Sequence, residues 1–249
     1  MSDLTEKNLT TISSFEVTSA DTDMHGRIRL GSLVNLLIQS AIHSADNLGF
    51  GYGGIRQQNL FWVLSRLTIY IYRPLKWHET IHVETWPKNV ERILYLRDFI
   101  LRDNDSNIVG KATTGWLAVD IETKQLKKID GVHSDFFIHL KEKHAIAEPP
   151  EKVLPVREGE SFEIKTGYYD ADLNKHITTT RYVDWMMDTL PMDFHIDNYP
   201  RKLSLNIMKE TMPGNILKLM RSSGTKGEYN FEGENISKNI SAFRANIKF

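Results

Sequence analysis

Asp172, Asn174 and His176 stand two residues apart in the segment DADLNKHITTTRYVDWMMD, residues 170–188. In an extended chain that spacing turns three side chains the same way. An acid, an amide and an imidazole on one side of a chain supply proton transfer and orientation. A helix-like run follows at 178–190 and is stopped by Pro191. The N-terminus of such a helix offers unpaired N–H groups and the positive end of its dipole. Those donors suit a carbonyl oxygen that gains negative charge, as in acyl transfer. A plainer reading stands beside this one: Asp172, Asn174 and the threonines are turn and cap residues. Spacing alone leaves both open.

Other chemistries fit less well. Asp170, Asp172 and Asn174 match the first three ligand positions of a calcium loop, but Lys175 and Arg181 replace its glycine and its bidentate glutamate. The nine histidines are scattered, which sets a zinc site aside. With no cysteine, disulfides, thiolate metal sites and a Cys nucleophile are excluded. GFGYGG (49–54) is read as a helix stop and loop, because it follows a helix and does not open one. No GxSxG string is present. The expected chemistry needs neither cofactor nor metal.

These residues need a scaffold. The 249 residues suffice for one large domain or two smaller ones, and 41% hydrophobic with 25% charged residues is a soluble, globular balance. A net charge of −1 gives no field that points to nucleic acid or an acidic membrane. From Arg201 onward nine Lys/Arg face four Glu, an excess read as a scattered solvated face or a patch for an acidic partner. No apolar run reaches a membrane span, and MSDLTEKNLT lacks the regions of a signal peptide. The expectation is a cytoplasmic protein.

Leu33, Leu36, Leu37, Ser40, Ala41, Ser44 and Leu48 recur at helical spacing across 30–49, with Ser32 as N-cap and Gly49 just past the end. Strand patterns follow at 66–73, 80–86, 92–103 and 108–120, with Pro87-Lys88-Asn89 as a break. A short helix is expected at 132–143, and the proline-rich 145–161 reads as a linker. The pattern then restarts with a strand at 161–169, the helix at 178–190, and strands at 202–210, 215–221, 227–232 and 239–248.

The halves match. DMHGRIRLGSLVNLLIQS (23–40) lies over DLNKHITTTRYVDWMMDT (172–189) without a gap, and RLTIYI (66–71) resembles KLSLNI (202–207). Upstream, SFEV (14–17) resembles SFEI (161–164), with a two-residue length change between. Each unit is a strand, a loop, a long helix and several antiparallel strands, an α+β design. Two such units forming one sheet around two helices make a double hot-dog. The domain reading is an N-terminal repeat at 1–144, a linker at 145–161 and a C-terminal repeat at 162–249. The first half carries Asp23, His25 and Arg27 in place of the Asp-Asn-His set, and Pro74 where the second half has Glu210. Divided work is implied: chemistry in the second half, a pocket in the first.

NLFWVLSRLTIYIYRPLKWHETIHVETWP (59–87), RDFILRD (97–103), DADLNKHITTTRYVDWMMDTLP (170–191) and KLSLNIMKETM (202–212), in this order, resemble the plant-type acyl-acyl-carrier-protein thioesterases and their bacterial relatives. The resemblance covers most of the chain. It implies a double hot-dog fold and release of fatty acid from acyl-carrier protein. It carries the family's Asp-x-Asn-x-His motif onto Asp172, Asn174 and His176, and its later acid onto Glu210. Many plant members have a cysteine after that acid; here it is Thr211, which favours a water-based or carboxylate-based mechanism. The acyl tail is expected under the first helix, with Leu33, Leu37, Ala41 and Trp62 as its contacts. An acyl-coenzyme A thioesterase and a non-catalytic acyl or carrier-protein binder are the alternatives. A monomer and a homodimer both fit.

Overall fold

The computed structural model describes residues 5–129 and 135–249. In chain order the elements are α1 (Glu6–Leu9), β1 (Thr11–Glu16), α2 (Leu30–Asn47), α3 (Tyr52–Arg56), β2 (Leu60–Ile71), β3 (Thr80–Glu91), β4 (Leu94–Arg102), β5 (Ile108–Asp120) and β6 (Leu126–Lys127). The second half adds β7 (Glu160–Lys165), α4 (Thr179–Asp188), α5 (Phe194–Asp197), β8 (Lys202–Ile207), β9 (Ile216–Ser223), β10 (Glu228–Asn235) and β11 (Ile240–Lys248).

All eleven strands join one antiparallel sheet in the order β1-β3-β4-β5-β2-β8-β11-β10-β9-β7, with β6 on β5. The two halves of that order mirror each other: β1, β3, β4, β5 and β2 correspond to β7, β9, β10, β11 and β8. The central strands pair with Thr68 opposite Ser204. These are equivalent residues of RLTIYI and KLSLNI, so a local two-fold axis passes between them. The protein is an α+β double hot-dog.

Period-two alternation explains the layers. Leu67, Ile69, Leu203 and Leu205 turn inward to one core with Leu33, Val34 and Leu37 of α2 and Tyr182, Val183 and Met186 of α4. The helices meet closely at Gly31, where a Cβ would come within 2.3 Å of Asp184 Oδ1. Thr68, Ser204 and Asn206 face outward and are buried all the same, because the 145–159 connection crosses over them. Glu151 N–H donates to Thr68 Oγ1 (2.9 Å), and Val153 N–H donates to Asn206 Oδ1 (2.8 Å). The connection is thus a strap bound across the seam of the two repeats.

Several expected boundaries move. Helix α2 starts after Arg29, whose carbonyl accepts the Leu33 amide, so Ser32 is inside the first turn. Gly49, at φ 82°, does end it. Strand β2 begins at Leu60, six residues early, by way of a bulge between Leu64 and Arg66. Strand β3 runs through Pro87 by another bulge. The strand expected at 161–169 stops at Lys165, and Tyr168–Asp170 form a 3-10 turn. GFGYGG does open a helix, α3: Asp46 Oδ1 accepts the Tyr52 amide, and a Cβ at Gly51 or Gly54 would collide with Asp46 or the Gly49 carbonyl. The 132–143 helix falls partly outside the described residues; the rest is a 3-10 turn at Asp135–Phe137 followed by turns. Backbone groups just beyond bond to the sheet, Lys143 O to Trp86 Nε1 (3.1 Å) and Ala145 N to Asp98 Oδ2 (2.7 Å).

The SFEV–SFEI pairing is also corrected. Val17 and Thr166 are equivalent, since both exchange bonds with the turn before the next strand: Val17 with Glu79 and His78, Thr166 with Asn215 and Gly214. Phe15 therefore lies over Ile164 with no length change. A two-residue slip keeps every side chain on its face, which is why the false register looked sound.

Candidate active site

Asp172 does not project from an extended strand. Its Oδ1 accepts the amides of Asn174 (2.8 Å) and His176 (3.2 Å), and its own amide donates to His176 O (2.8 Å). This is an Asx-type turn, in which the carboxylate folds the backbone. Lys175 takes φ 66° within it. The turn swings His176 toward the chain leaving β8, where Ile177 N–H donates to Thr211 O (2.9 Å). His176 Nε2 then lies 3.1 Å from Glu210 Oε2, with the imidazole 22% and the carboxylate 43% exposed. Thr178 occupies the N-cap position of α4 directly afterwards, without a side-chain capping bond.

These groups share a cavity of about 420 Å³ with residues of the other repeat. Asp172, Asn174, His176, Thr178, Thr179, Tyr182 and Glu210 line one part. Ile38, Ala41, Ile42 and Ala45 of α2, with Trp62, Tyr95 and Phe137, line another. Phe50, Trp62, Tyr95 and Phe137 pack there with ring centroids 4.7–6.3 Å apart, edge to face except for the tilted Phe50–Phe137 pair. Burial pushes the Tyr182 phenol up to about 12; hydrogen bonding from Thr211 opposes this, and the charges of Asp172 and Glu210 add to it. The Thr211 side chain is itself fully buried.

The structure brings Asp172, Asn174, His176 and Glu210 together, and sets Ala41 and Trp62 in the cavity wall. Leu33 and Leu37 do not reach it: they are 2% and 1% exposed and pack into the main core. The core face of α2 holds positions 30, 33, 34, 36 and 37, whereas the cavity face holds 35, 38, 39, 42 and 45, with Ala41 on the border of the two. The signal for that second face was present: Ile38 and Ile42 are apolar residues outside the core stripe. Tyr95, Phe137 and Tyr182 come from scattered places, and no local pattern marks them.

The first repeat builds the same turn without the same chemistry. Asp23 Oδ1 accepts the amides of His25 and Arg27, both at 2.9 Å, and Gly26 (φ 70°) sits where Lys175 does. Arg27 replaces His176. It pairs with Asp23 (2.9 Å) and donates to His195 O (2.6 Å). Tyr199 closes over it, its hydroxyl donating to Ile28 O at 2.7 Å. The segment after α4 thus fills this turn.

Asp170 holds its own loop, accepting from Gly167 N (2.6 Å) and Arg181 Nε (2.7 Å). One string that the scatter of histidines hides is HETIH, residues 78–82, which spells the zinc pattern HExxH. That pattern needs a helix to place both imidazoles on one face. Here it leads into β3, where four residues span about 13 Å. His78 meets Glu16, and His82 meets Ser14 and Asn104. Of the nine basic residues from Arg201 onward, four form ion pairs: Lys202 with Glu151, Arg221 with Glu160, Arg244 with Glu232 and Lys248 with Glu228. Among the described residues, no helix is long and apolar enough to cross a membrane.

Comparison with known proteins agrees with this fold. The solved structure of an acyl-ACP thioesterase from Bacteroides thetaiotaomicron superposes with a TM-score of 0.90 at 24% identity, over 99% of this chain and 100% of that one. A 12:0-ACP thioesterase from Umbellularia californica gives 0.81 at 18% identity, over 96% and 93%. At these identities the likeness is one of fold. Oleoyl-acyl carrier protein thioesterase 2 of Arabidopsis thaliana, a chloroplastic protein, is 26% identical over 86% of this chain. The chain spans 63% of that relative's length. The family models for the N-terminal and C-terminal domains of acyl-ACP thioesterases match residues 8–136 and 154–249. With both halves of its duplicated sheet matched in order, the chain belongs to the acyl-ACP thioesterase family.

Proposed function

We propose that this protein hydrolyses the thioester between a fatty acyl chain and acyl-carrier protein, releasing the free acid. The observation that carries the reading is the single cavity that joins the His176–Glu210 pair to the aromatic and aliphatic wall of the other repeat. Its volume is within the range of small-molecule sites. The first repeat, 1–144, holds the acyl chain against Ala41 and Trp62. The second, 162–249, does the chemistry.

A thioester is already activated, so water needs only a base, a position and charge stabilisation. Water attacks the carbonyl carbon and passes its proton to the His176–Glu210 pair, a step worth about 10²–10⁴ in rate. The carbonyl oxygen gains negative charge near the N-terminus of α4, where Thr178 and Thr179 line the cavity. The carbon–sulfur bond then breaks, and the thiolate of the carrier's arm takes up the proton. Asn174 orients the water or the thioester. Asp172 positions the turn: its Oδ1 already accepts two amides, which disfavours its attacking to form an anhydride. Lys209, on the cavity wall, and the exposed Lys175 give an acidic carrier a basic approach.

The test is free-acid release from acyl-carrier-protein and acyl-coenzyme A thioesters of matched chain length. A higher kcat/KM on the carrier-protein series is expected. Preference for coenzyme A moves the reading to an acyl-coenzyme A thioesterase, and no release from either marks a binding protein.

A further inference from the structure

Arg97 is a charge that the hydrolysis does not use. It lies on β4 between Tyr95 and Phe99, on the face turned toward the helices, and lines the cavity while only 5% exposed. Nη1 donates to Thr85 Oγ1 at 3.3 Å, which occupies one of five N–H donors. Among the described residues no carboxylate pairs with it. Its neighbour Asp98 points through the opposite face, to Lys88 (3.3 Å) and the amides of Ala145 and Ile146. Burial drives the Arg97 pKa down to about 9, so the guanidinium is still charged at neutral pH. A buried cation without a counter-charge is strongly disfavoured unless something else meets it.

The sheet places Arg97 far from the reacting groups. It pairs with Thr114 of β5, Thr114 with Leu67 of β2, and Leu67 with Leu205 of β8. Three strand spacings, about 14 Å, therefore separate it from the strand that leads to Glu210. A plain hydrocarbon pressed against this wall would strip water from the guanidinium and leave its donors unpaired.

We propose that Arg97 is a specificity site for acyl chains that carry an oxygen remote from the thioester, its guanidinium donating to a hydroxyl or carboxylate on the chain. This rests on the reading that the cavity holds an acyl chain. An apolar wall discriminates weakly between chains, whereas a wall with a donor awaiting its acceptor discriminates strongly.

Binding tests this without hydrolysis. Trp62 and Trp116 line the cavity and report occupancy by fluorescence. The ligands are N-methyl amides of fatty acids of one length, which have no head carboxylate to compete: unsubstituted, ω-hydroxy and ω-carboxy. Wild-type protein should bind an oxygenated amide about 10- to 100-fold more tightly than the plain one, and the order of the two oxygenated ligands names the preferred acceptor. Arg97→Met should erase the difference, and Arg97→Lys, which lacks the planar fork, should keep part of it. Equal affinities for all three ligands in the wild type, or an equal loss for all three in Arg97→Met, overturns the proposal while leaving the hydrolysis reading intact. Binding of none overturns the acyl cavity itself. The wild-type comparison decides even where a substitution fails to fold.

Discussion

His176 Nε2 lies 3.1 Å from Glu210 Oε2, and the two arrive from different elements: one from the turn folded around Asp172, the other from the chain leaving β8. Groups that share a proton act as a unit, and their losses do not add. His176→Ala and Glu210→Ala should each lower kcat at least tenfold. The double variant should be within a few-fold of the worse single one in single-turnover acid release.

Asp172 separates two roles by one substitution. As a turn residue it needs an acceptor oxygen, which asparagine retains; as a nucleophile it needs the carboxylate. Asp172→Asn should keep turnover within about tenfold of wild type, and Asp172→Ala should lose more. Loss of all turnover in Asp172→Asn, with an unchanged circular dichroism spectrum and melting point, would support attack by the carboxylate. The twin Asp23→Ala should lower the melting point and leave kcat/KM near wild type.

The two faces of α2 predict different phenotypes. Leu33→Ala opens a core position and should cost about 2–5 kcal/mol in denaturant unfolding with no change in preferred chain length. Ile42→Trp fills the cavity face, where Ile42 is 39% exposed. It should shift kcat/KM toward shorter acyl chains with little change in stability.

The strap over the repeat seam should respond to pH. Burial alone would raise the Glu151 pKa, but hydrogen bonds from Lys202 and Ser204 outweigh it and hold the carboxyl below its ordinary value of 4.5. With the folded value below the unfolded one, the stabilisation is full above the unfolded value and fades as pH falls through the folded one. Glu151 is largely solvated, so Glu151→Gln should cost no more than about 1 kcal/mol at pH 7. At pH values well below 4.5 the variant and wild type should melt alike.

Repetition made the fold legible. Any one strand pattern was ambiguous at its ends, as β2 and β3 show, but two copies in the same order required one mirrored sheet. The bulges at 64–66 and 87–89 were hidden because proline and an apolar run read as a break and as nothing in particular. At the site, Asp172, Asn174 and His176 are visible as spacing, but spacing does not give their geometry. The alternation suggests an extended strand, while the Asp172 carboxylate draws two amides to itself and makes a turn. Helical periodicity points to Leu33 and Leu37 because it finds the core stripe, whereas a cavity needs the other face. Arg97 carried no local signal: only the strand register and the missing carboxylate single it out.

Single-turnover hydrolysis of an acyl-acyl-carrier-protein thioester in ¹⁸O-labelled water follows the oxygen that attacks. With enzyme in excess, the released fatty acid should carry the label, and peptides containing Asp172 and Glu210 should not. Unlabelled acid together with a labelled Asp172 or Glu210 peptide, or no acid at all, would contradict direct attack by water.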